Sequence, residues 1–364
     1  MFKLGIFALI LSLLTGCAPS SKDKDIKPSN PVETEGITIV PTMQDEIVTD
    51  TAWCGTFQLV WNDMKNEVVK QDIVFNPQLK VVENLNAETF KASMLSDEYY
   101  FKAFGPKTIA LKEKIEKGIK DKFNETSAIL NDFSWESADL ADEGSDNISR
   151  YFFYAMLKRE FKFPKVFTVL NNGTFANKYE NTKYFGIDNS TDKNVFDQVR
   201  VLYYNSQDDF AIILKTENND DVVLCKSPKG DTLEEIYNNM IANSETYEGK
   251  KYMAEIDRLK VPYVSFNEKK MYDELANKPF LTADGNVAMI DKGIQTIEFD
   301  LDEKGGKIKS EAAIDLKVTS MAPSDSLTPR YFYVDDTFAM FLKESDKNTP
   351  YFGVKISDIT KFQK

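Results

Sequence analysis

The residues able to do chemistry are few, and their types narrow what this chain can be. No histidine occurs among its 364 residues. That absence removes Ser–His and Cys–His nucleophile pairs, imidazole bases and His-ligated metals together. Asp188, Ser190, Asp192 and Asn194 place oxygens at the first four odd positions of a calcium loop. Lys193 stands where that turn needs glycine, however, and no distal glutamate follows, so the stretch reads as a solvated turn. There is no Walker loop, no GxGxxG and no paired-cysteine motif, and the carboxylates are too scattered to nominate a catalytic pair. The inventory therefore points to no enzyme, no metal and no cofactor. With 45 Lys+Arg against 58 Asp+Glu the formal charge is −13, the wrong sign for a grip on nucleic acid.

The three cysteines are Cys17, Cys54 and Cys225. Ahead of Cys17 stand one cation, Lys3, an apolar run from Leu4 to Leu14, and Thr15-Gly16. This is the layout of a secretory signal, too short to span a bilayer as a permanent helix. Leu14-Thr15-Gly16-Cys17 resembles the bacterial lipobox. The resemblance implies that residues 1–16 are removed and that Cys17 is acylated, anchoring the chain to a lipid membrane outside the cytoplasm. At about 0.8 kcal/mol per buried CH₂, several acyl chains suffice for a lasting anchor. In an oxidising space Cys54 and Cys225 are the one remaining disulfide pair, or else two separate buried thiols. Two sulfurs without histidine make no zinc site.

Positioning these residues falls to elements legible from periodicity. Residues 17–46 are rich in Ser, Pro, Lys and Asp and read as a flexible lipidated tether, which leaves 47–364 as one large body. Trp53, Phe57, Val60, Trp61 and Met64 share one stripe of a helix, as do Leu111, Ile115 and Ile119 between Lys107 and Phe123. Tyr151-Phe152-Phe153-Tyr154 reads as a buried helix start. From Phe161 the period shortens to that of strands, with one further helix over Thr232–Ser244 capped by Asp231. Helices first and strands afterwards make an α+β fold with antiparallel-rich sheets.

Several segments of the second half follow a suggestive order. Asp257–Phe266 alternates apolar residues around Val261-Pro262. Gly293–Asp300 runs as a strand into Glu303-Lys304-Gly305. Ser310-Glu311-Ala312-Ala313 comes next, after Gly306-Lys307-Ile308-Lys309. Tyr331–Phe341 and Pro350–Ile356 close the chain. In this order they resemble the serpin superfamily, with its Leu-Pro-Lys-Phe strand, its strand into the reactive loop, its Glu-(Glu/Lys)-Gly hinge and its Thr-Glu-Ala-Ala. The match covers about half the chain; the serpin's N-terminal helix pattern is not displayed, and four residues separate the hinge from Ser310. The resemblance implies a serpin-like fold and an extracellular protease or other protein as partner. It also implies a reactive-loop hinge at Glu303, Lys304, Gly305, Ser310, Glu311, Ala312 and Ala313, with a tip at Met321, Ala322 and Pro323.

The loop's own residues leave two functions open. From Ser310 onward one face carries Ser310, Ala312, Ile314, Leu316 and Val318 and the other Glu311, Ala313, Asp315 and Lys317, the alternation of a half-buried strand. Leaving Ile314, Leu316 and Val318 in water forfeits roughly 5–8 kcal/mol. This favours a permanent hairpin of Ile294–Leu301 with Ile308–Val318, turning at Asp302–Gly306, and hence a non-inhibitory binding scaffold. The serpin resemblance nevertheless makes the bait the leading reading of function, with the chain a serine-protease inhibitor cleaved near Met321 and the binding scaffold its alternative. No residue of the bait needs reactivity, because the nucleophile belongs to the protease.

Overall fold

The computed structural model describes residues 35–135, 149–217, 219–306 and 328–363. The fold is α+β. Helices Thr56–Met64, Lys80–Asn86 and Ile109–Phe123 come early in the chain, and Leu233–Thr246 is the one long helix later among the described residues. Thr108 caps the third helix by accepting from the Leu111 amide, and Thr232, not Asp231, caps the last by accepting from Glu235. Thr232 is one residue nearer, so its hydroxyl reaches the N3 amide.

Two seven-stranded sheets and a four-stranded one carry the rest. The back sheet runs, in spatial order, Ile37–Val40, Asp50–Cys54, Phe352–Ile356, Phe338–Glu344, Asp220–Lys226, Asp209–Lys215 and Val199–Ser206. The front sheet is built around the aromatic strand Ser149–Leu157 and the long strand Val287–Asp302. The small sheet orders Tyr331–Tyr333, Arg258–Pro262, Tyr184–Ile187 and Thr168–Val169. Front and back sheets share a core in which Phe299 stacks on Phe352 at 5.0 Å and Phe266 meets Phe362 edge-on at 5.4 Å.

Three expectations change on contact with the fold, and one open alternative is decided. Tyr151–Tyr154 is not a helix start but the middle of the aromatic strand. Phe153 and Ala155 pack under the Thr56–Met64 helix, and Phe152 and Tyr154 pack on the Ile109–Phe123 helix side. With both faces covered the strand shows no period of two. Trp53 belongs to a strand, and the first helix begins only at Thr56. The tether ends sooner than residue 46, since Ile37–Val40 pairs in parallel with Asp50–Trp53 and Ile39, Val40, Thr42 and Met43 are buried. Cys54 and Cys225 are free thiols. They lie on strands three apart in the back sheet, about 14 Å by strand spacing, too far to bridge. Each is buried against a hydroxyl, Cys54 against Thr56 at 3.3 Å and Cys225 against Tyr203 at 3.4 Å, and burial pushes both thiols up to about 11.

Candidate functional site

One edge of the long strand has two different neighbours. From Ala288 to Thr296 it pairs in parallel with Ser149–Met156 of the aromatic strand. At Leu301 and Asp302 the partner is instead Gly306 and Gly305, running antiparallel. The far side of those glycines pairs with Phe161 and Lys162, the continuation of the aromatic strand. Thr296 faces Met156 directly, and five residues further along both strands Leu301 and Phe161 flank Gly306. The register is thus unchanged across the split. Two parallel strands touch at one end and stand one strand apart at the other, with the hinge wedged between them.

Glycine is required at the wedge. At Gly305, φ is +143° and a Cβ would lie 2.3 Å from the Phe161 carbonyl oxygen; at Gly306 it would lie 2.2 Å from the Phe161 ring. Gly305 accepts no side chain without moving the flanking backbone, and Gly306 none without displacing the buried Phe161 ring. The turn that delivers them is held by polar contacts. Asp302 Oδ1 accepts from the amides of Lys304 (2.7 Å) and Gly305 (3.2 Å). Phe163 and Phe167 donate their amides to the carbonyls of Lys304 and Glu303 at 2.8 and 2.9 Å. Tyr263 donates its hydroxyl to Glu303 Oε2 at 2.6 Å. Burial alone would raise the Glu303 carboxyl, but the Tyr263 and Lys304 hydrogen bonds outweigh it and hold the group below its usual value. Two of the expected hinge residues, Gly305 and Glu303, therefore have defined structural work, while Lys304 is largely in water with an ion pair to Glu303 at 3.3 Å.

The closed end is fastened differently. Gln295, fully buried on the long strand, donates from Nε2 to the Cys54 carbonyl at 2.9 Å and to Thr56 Oγ1 at 3.3 Å. Its Oε1 accepts from the Tyr272 hydroxyl at 2.7 Å. This ties the front sheet to the last turn of the Asp50–Cys54 strand and to the start of the first helix. A buried amide with its partners met is costly to displace, because moving the strand strands each group.

The wall opposite the long strand is anchored by Arg159, which lies between the aromatic strand and Phe161–Lys162. Its guanidinium is buried, donates from Nε to Asp220 Oδ2 on the back sheet, and sits 3.2 Å from the centre of the Tyr99 ring. Asp220 Oδ1 also accepts from the Tyr351 hydroxyl at 3.1 Å. Burial dominates and pushes the Asp220 carboxyl up to about 6, against the pull of Arg159.

Cys17, Ser310, Glu311, Ala312, Ala313, Met321, Ala322 and Pro323 lie outside the described residues. Along the described part, the long strand's edge from Ala288 to Thr296 is held by the aromatic strand and its other edge by Val264–Met271 at Ile294–Leu301. A hairpin running to residue 318 would need the edge that the aromatic strand occupies. The expected turn at Asp302–Gly306 is present, and the pairing it starts is described only through Gly306. Sequence reasoning missed Phe161, Arg159, Tyr263 and Gln295. Asp188 forms the expected turn, accepting from the Ser190 amide at 2.8 Å, and among the described residues no metal cluster occurs.

Chemically, no nucleophile–base pair occurs among the described residues of the site. What it offers is a slot between two parallel strands that takes an antiparallel one. No protein-family model matches the chain, and no curated protein matches it. Among solved structures it is similar to human thyroxine-binding globulin (TM-score 0.43, 11% identity, 69% of this chain and 65% of that one). It is also similar to a serine protease inhibitor (serpin) of Manduca sexta (0.42, 13%, 79% and 74%). A third is a serpin of the insect Tenebrio molitor (0.39, 13%, 73% and 78%). The chain thus spans just under two thirds of the globulin's length. At these scores and identities the likeness carries nothing about activity.

Proposed function

We propose that this chain is a membrane-anchored, extracytoplasmic lipoprotein that inhibits a serine protease by loop insertion, with Ser310–Pro323 as the loop. The observation that carries the reading is the split of the front sheet, seeded by Gly305–Gly306 with the strand register intact on either side. Extending the Leu301↔Gly306 pairing one residue at a time sets Ser310 opposite Ile297, Ala312 opposite Gln295 and Ile314 opposite Gly293. These three partners are buried, so the loop's apolar face would enter the core. The bulky Ile314 would meet a glycine and Ala312 a full-sized amide, a large–small alternation that packs without overfilling. The signal-like residues 1–16 and Cys17 support the anchor and the location, and the mass of the N-terminal peptide recovered from membranes tests them. An unmodified Cys17 would remove both.

One observation favours a second reading, a non-inhibitory binding scaffold. Full insertion must unzip the Ala288–Thr296 ladder and free Gln295 from its partners. If that closure is never released, the wedge is fixed and the loop serves some other contact. Melting of the unlipidated chain before and after one nick near Met321 separates the two. Insertion of three large apolar side chains, worth roughly 5–8 kcal/mol, should raise Tm by on the order of 10 °C. An unchanged Tm after a verified nick would sink the inhibitor reading.

A further inference from the structure

Two buried carboxylates stand on the back sheet where it meets the wall of the split, and one cation answers both. Asp220 opens the Asp220–Lys226 strand, Glu344 closes Phe338–Glu344, and the two are direct partners in that ladder. Directly paired residues point to the same face, with Cβ atoms about 5 Å apart. Asp220 and Glu344 are 0% and 3% exposed, and Arg159 is 3% exposed. Each carboxylate holds a different segment on the front-sheet side. Asp220 Oδ2 accepts from Arg159 Nε. Glu344 Oε1 and Oε2 accept from the amide and hydroxyl of Ser96 at 2.8 and 2.9 Å. Ser96 leads through the turn Asp97–Tyr99 into the strand Tyr100–Pro106, which pairs with the aromatic strand. The Tyr99 ring against the Arg159 guanidinium, and the Lys158 amide on the Tyr99 carbonyl at 2.8 Å, join the two segments.

The charges here do not balance. Asp221 and Lys343, next along each strand, turn to the opposite face and pair with each other at 3.0 Å. Lys158 is paired with Glu125 at 2.8 Å and Asp97 with Lys122 at 3.3 Å. Lys162 turns away from the buried Phe161 face. Lys215, Glu217, Glu98 and Asp346 are exposed around the rim, and Glu160 beside Arg159 adds no positive charge. Among the described residues no cation pairs with Glu344. With both carboxylates ionised, Arg159 therefore leaves one negative charge in excess inside the protein. An uncompensated buried charge is strongly destabilising, and two adjacent carboxyl groups relieve it by keeping one proton. The Tyr351 hydroxyl, which donates to Asp220 Oδ1 at 3.1 Å, can accept from a protonated acid instead, so either state finds its partner.

We propose that Asp220 and Glu344 share one proton and act as a pH-operated clasp between the two sheets, holding Ser96–Tyr99 and Arg159–Lys162 firmly in acid and loosening them as the second carboxylate ionises toward pH 8. The clasp fastens one wall of the split whatever enters it, so it does not depend on the inhibitor reading. Burial, with the Glu344 charge adding to it, pushes the Asp220 carboxyl up to about 6. A carboxyl raised in the folded chain contributes stability that is full below about pH 4 and lost as pH rises through 6. The chain has no histidine, the usual titrating side chain of that range.

Hydrogen exchange of the full unlipidated chain, followed by mass spectrometry at pH 5 and pH 8 and corrected for the intrinsic pH dependence of exchange, reads the clasp at the Ser96, Lys158 and Phe163 amides. Protection of these amides should fall about tenfold from pH 5 to pH 8. Asp220→Asn and Glu344→Gln each leave one carboxylate for Arg159. In either variant protection at pH 8 should match the parent's at pH 5 and change less than about twofold with pH. The double variant leaves Arg159 without a counter-charge and should lose about tenfold in protection at both pH values. A single variant less protected than the parent at pH 8, or unfolded there, would overturn the shared proton, and so would an undiminished pH step in either one. A double variant as well protected as the single ones would overturn the charge count. A step of equal size at the Leu259 and Val261 amides of the small sheet would mean that the whole fold titrates, and would overturn a local clasp.

Discussion

The two ends of the long strand are made of the same kind of residue and held by opposite means. At Leu301–Asp302 the neighbour is a pair of glycines that fit only because they lack side chains. At Ala288–Thr296 the neighbour is a full parallel ladder, pinned underneath by the Gln295 amide. The open end is specified by steric exclusion and the closed end by satisfied polar groups. The first kind of contact tolerates a new strand, since nothing must be unmade at Gly306. The second resists one, since every ladder bond and the Gln295 contacts must be exchanged.

The largest effect is expected where the wall of the opening is tied to the back sheet. Arg159→Leu leaves Asp220 buried without its cation, which should cost about 3–5 kcal/mol in denaturant unfolding. Asp220→Asn, by contrast, tests the sign of the linkage. Its carboxyl is raised to about 6, so this group's contribution is fully present below about pH 4 and is lost as pH rises through 6. Stability of the parent relative to Asp220→Asn should therefore fall between pH 4 and 7. A difference that grows with pH would mean that the Arg159 pairing outweighs burial.

Next in size is the wedge itself. Gly305→Ala places a side chain at φ +143° against the Phe161 carbonyl and should cost about 2–3 kcal/mol. Limited proteolysis should then cut between 303 and 306, where the parent should resist. At the closed end Gln295→Leu removes the amide that bridges Tyr272, Cys54 and Thr56, at about 1–2 kcal/mol. If the closed end is what limits insertion, this variant should also speed the rise in Tm that follows a nick near Met321. An unchanged rate would place the barrier elsewhere in the sheet.

How far these features were legible follows from their physics. Continuous apolar runs bounded by turn residues exposed strands such as Asp209–Lys215 and Phe338–Glu344, which are buried along nearly their whole length, and the stripe at Leu111, Ile115 and Ile119 exposed its helix. The aromatic strand was missed because helices cover both its faces, and a short apolar run without alternation reads equally well as a buried helix segment. Glu303, Lys304 and Gly305 were legible as a turn from residue type. That Gly306 lies between Leu301 and Phe161 was not, because the second contact joins positions far apart in sequence through a strand of only two residues, Phe161–Lys162. Gln295 looked like any polar residue in a strand until its face proved to be inward.

The smallest expected effect probes the turn that holds the glycines in place. Tyr263→Phe deletes the donor to Glu303 Oε2 and should cost about 1 kcal/mol at pH 7. Glu303 titrates below its usual value, so the stabilisation belongs to the carboxylate: it is present above about pH 4.5 and lost as pH falls through the lowered value. The gap between parent and variant should close below pH 4, and Glu303→Gln should show a similar loss at pH 7 without the pH dependence. Because the Phe163 and Phe167 amides still hold the Lys304 and Glu303 carbonyls, neither variant should expose Gly305 to proteolysis as Gly305→Ala does. If Tyr263→Phe does expose it, the open end depends on polar fastening as much as the closed end, and the contrast between the two ends fails.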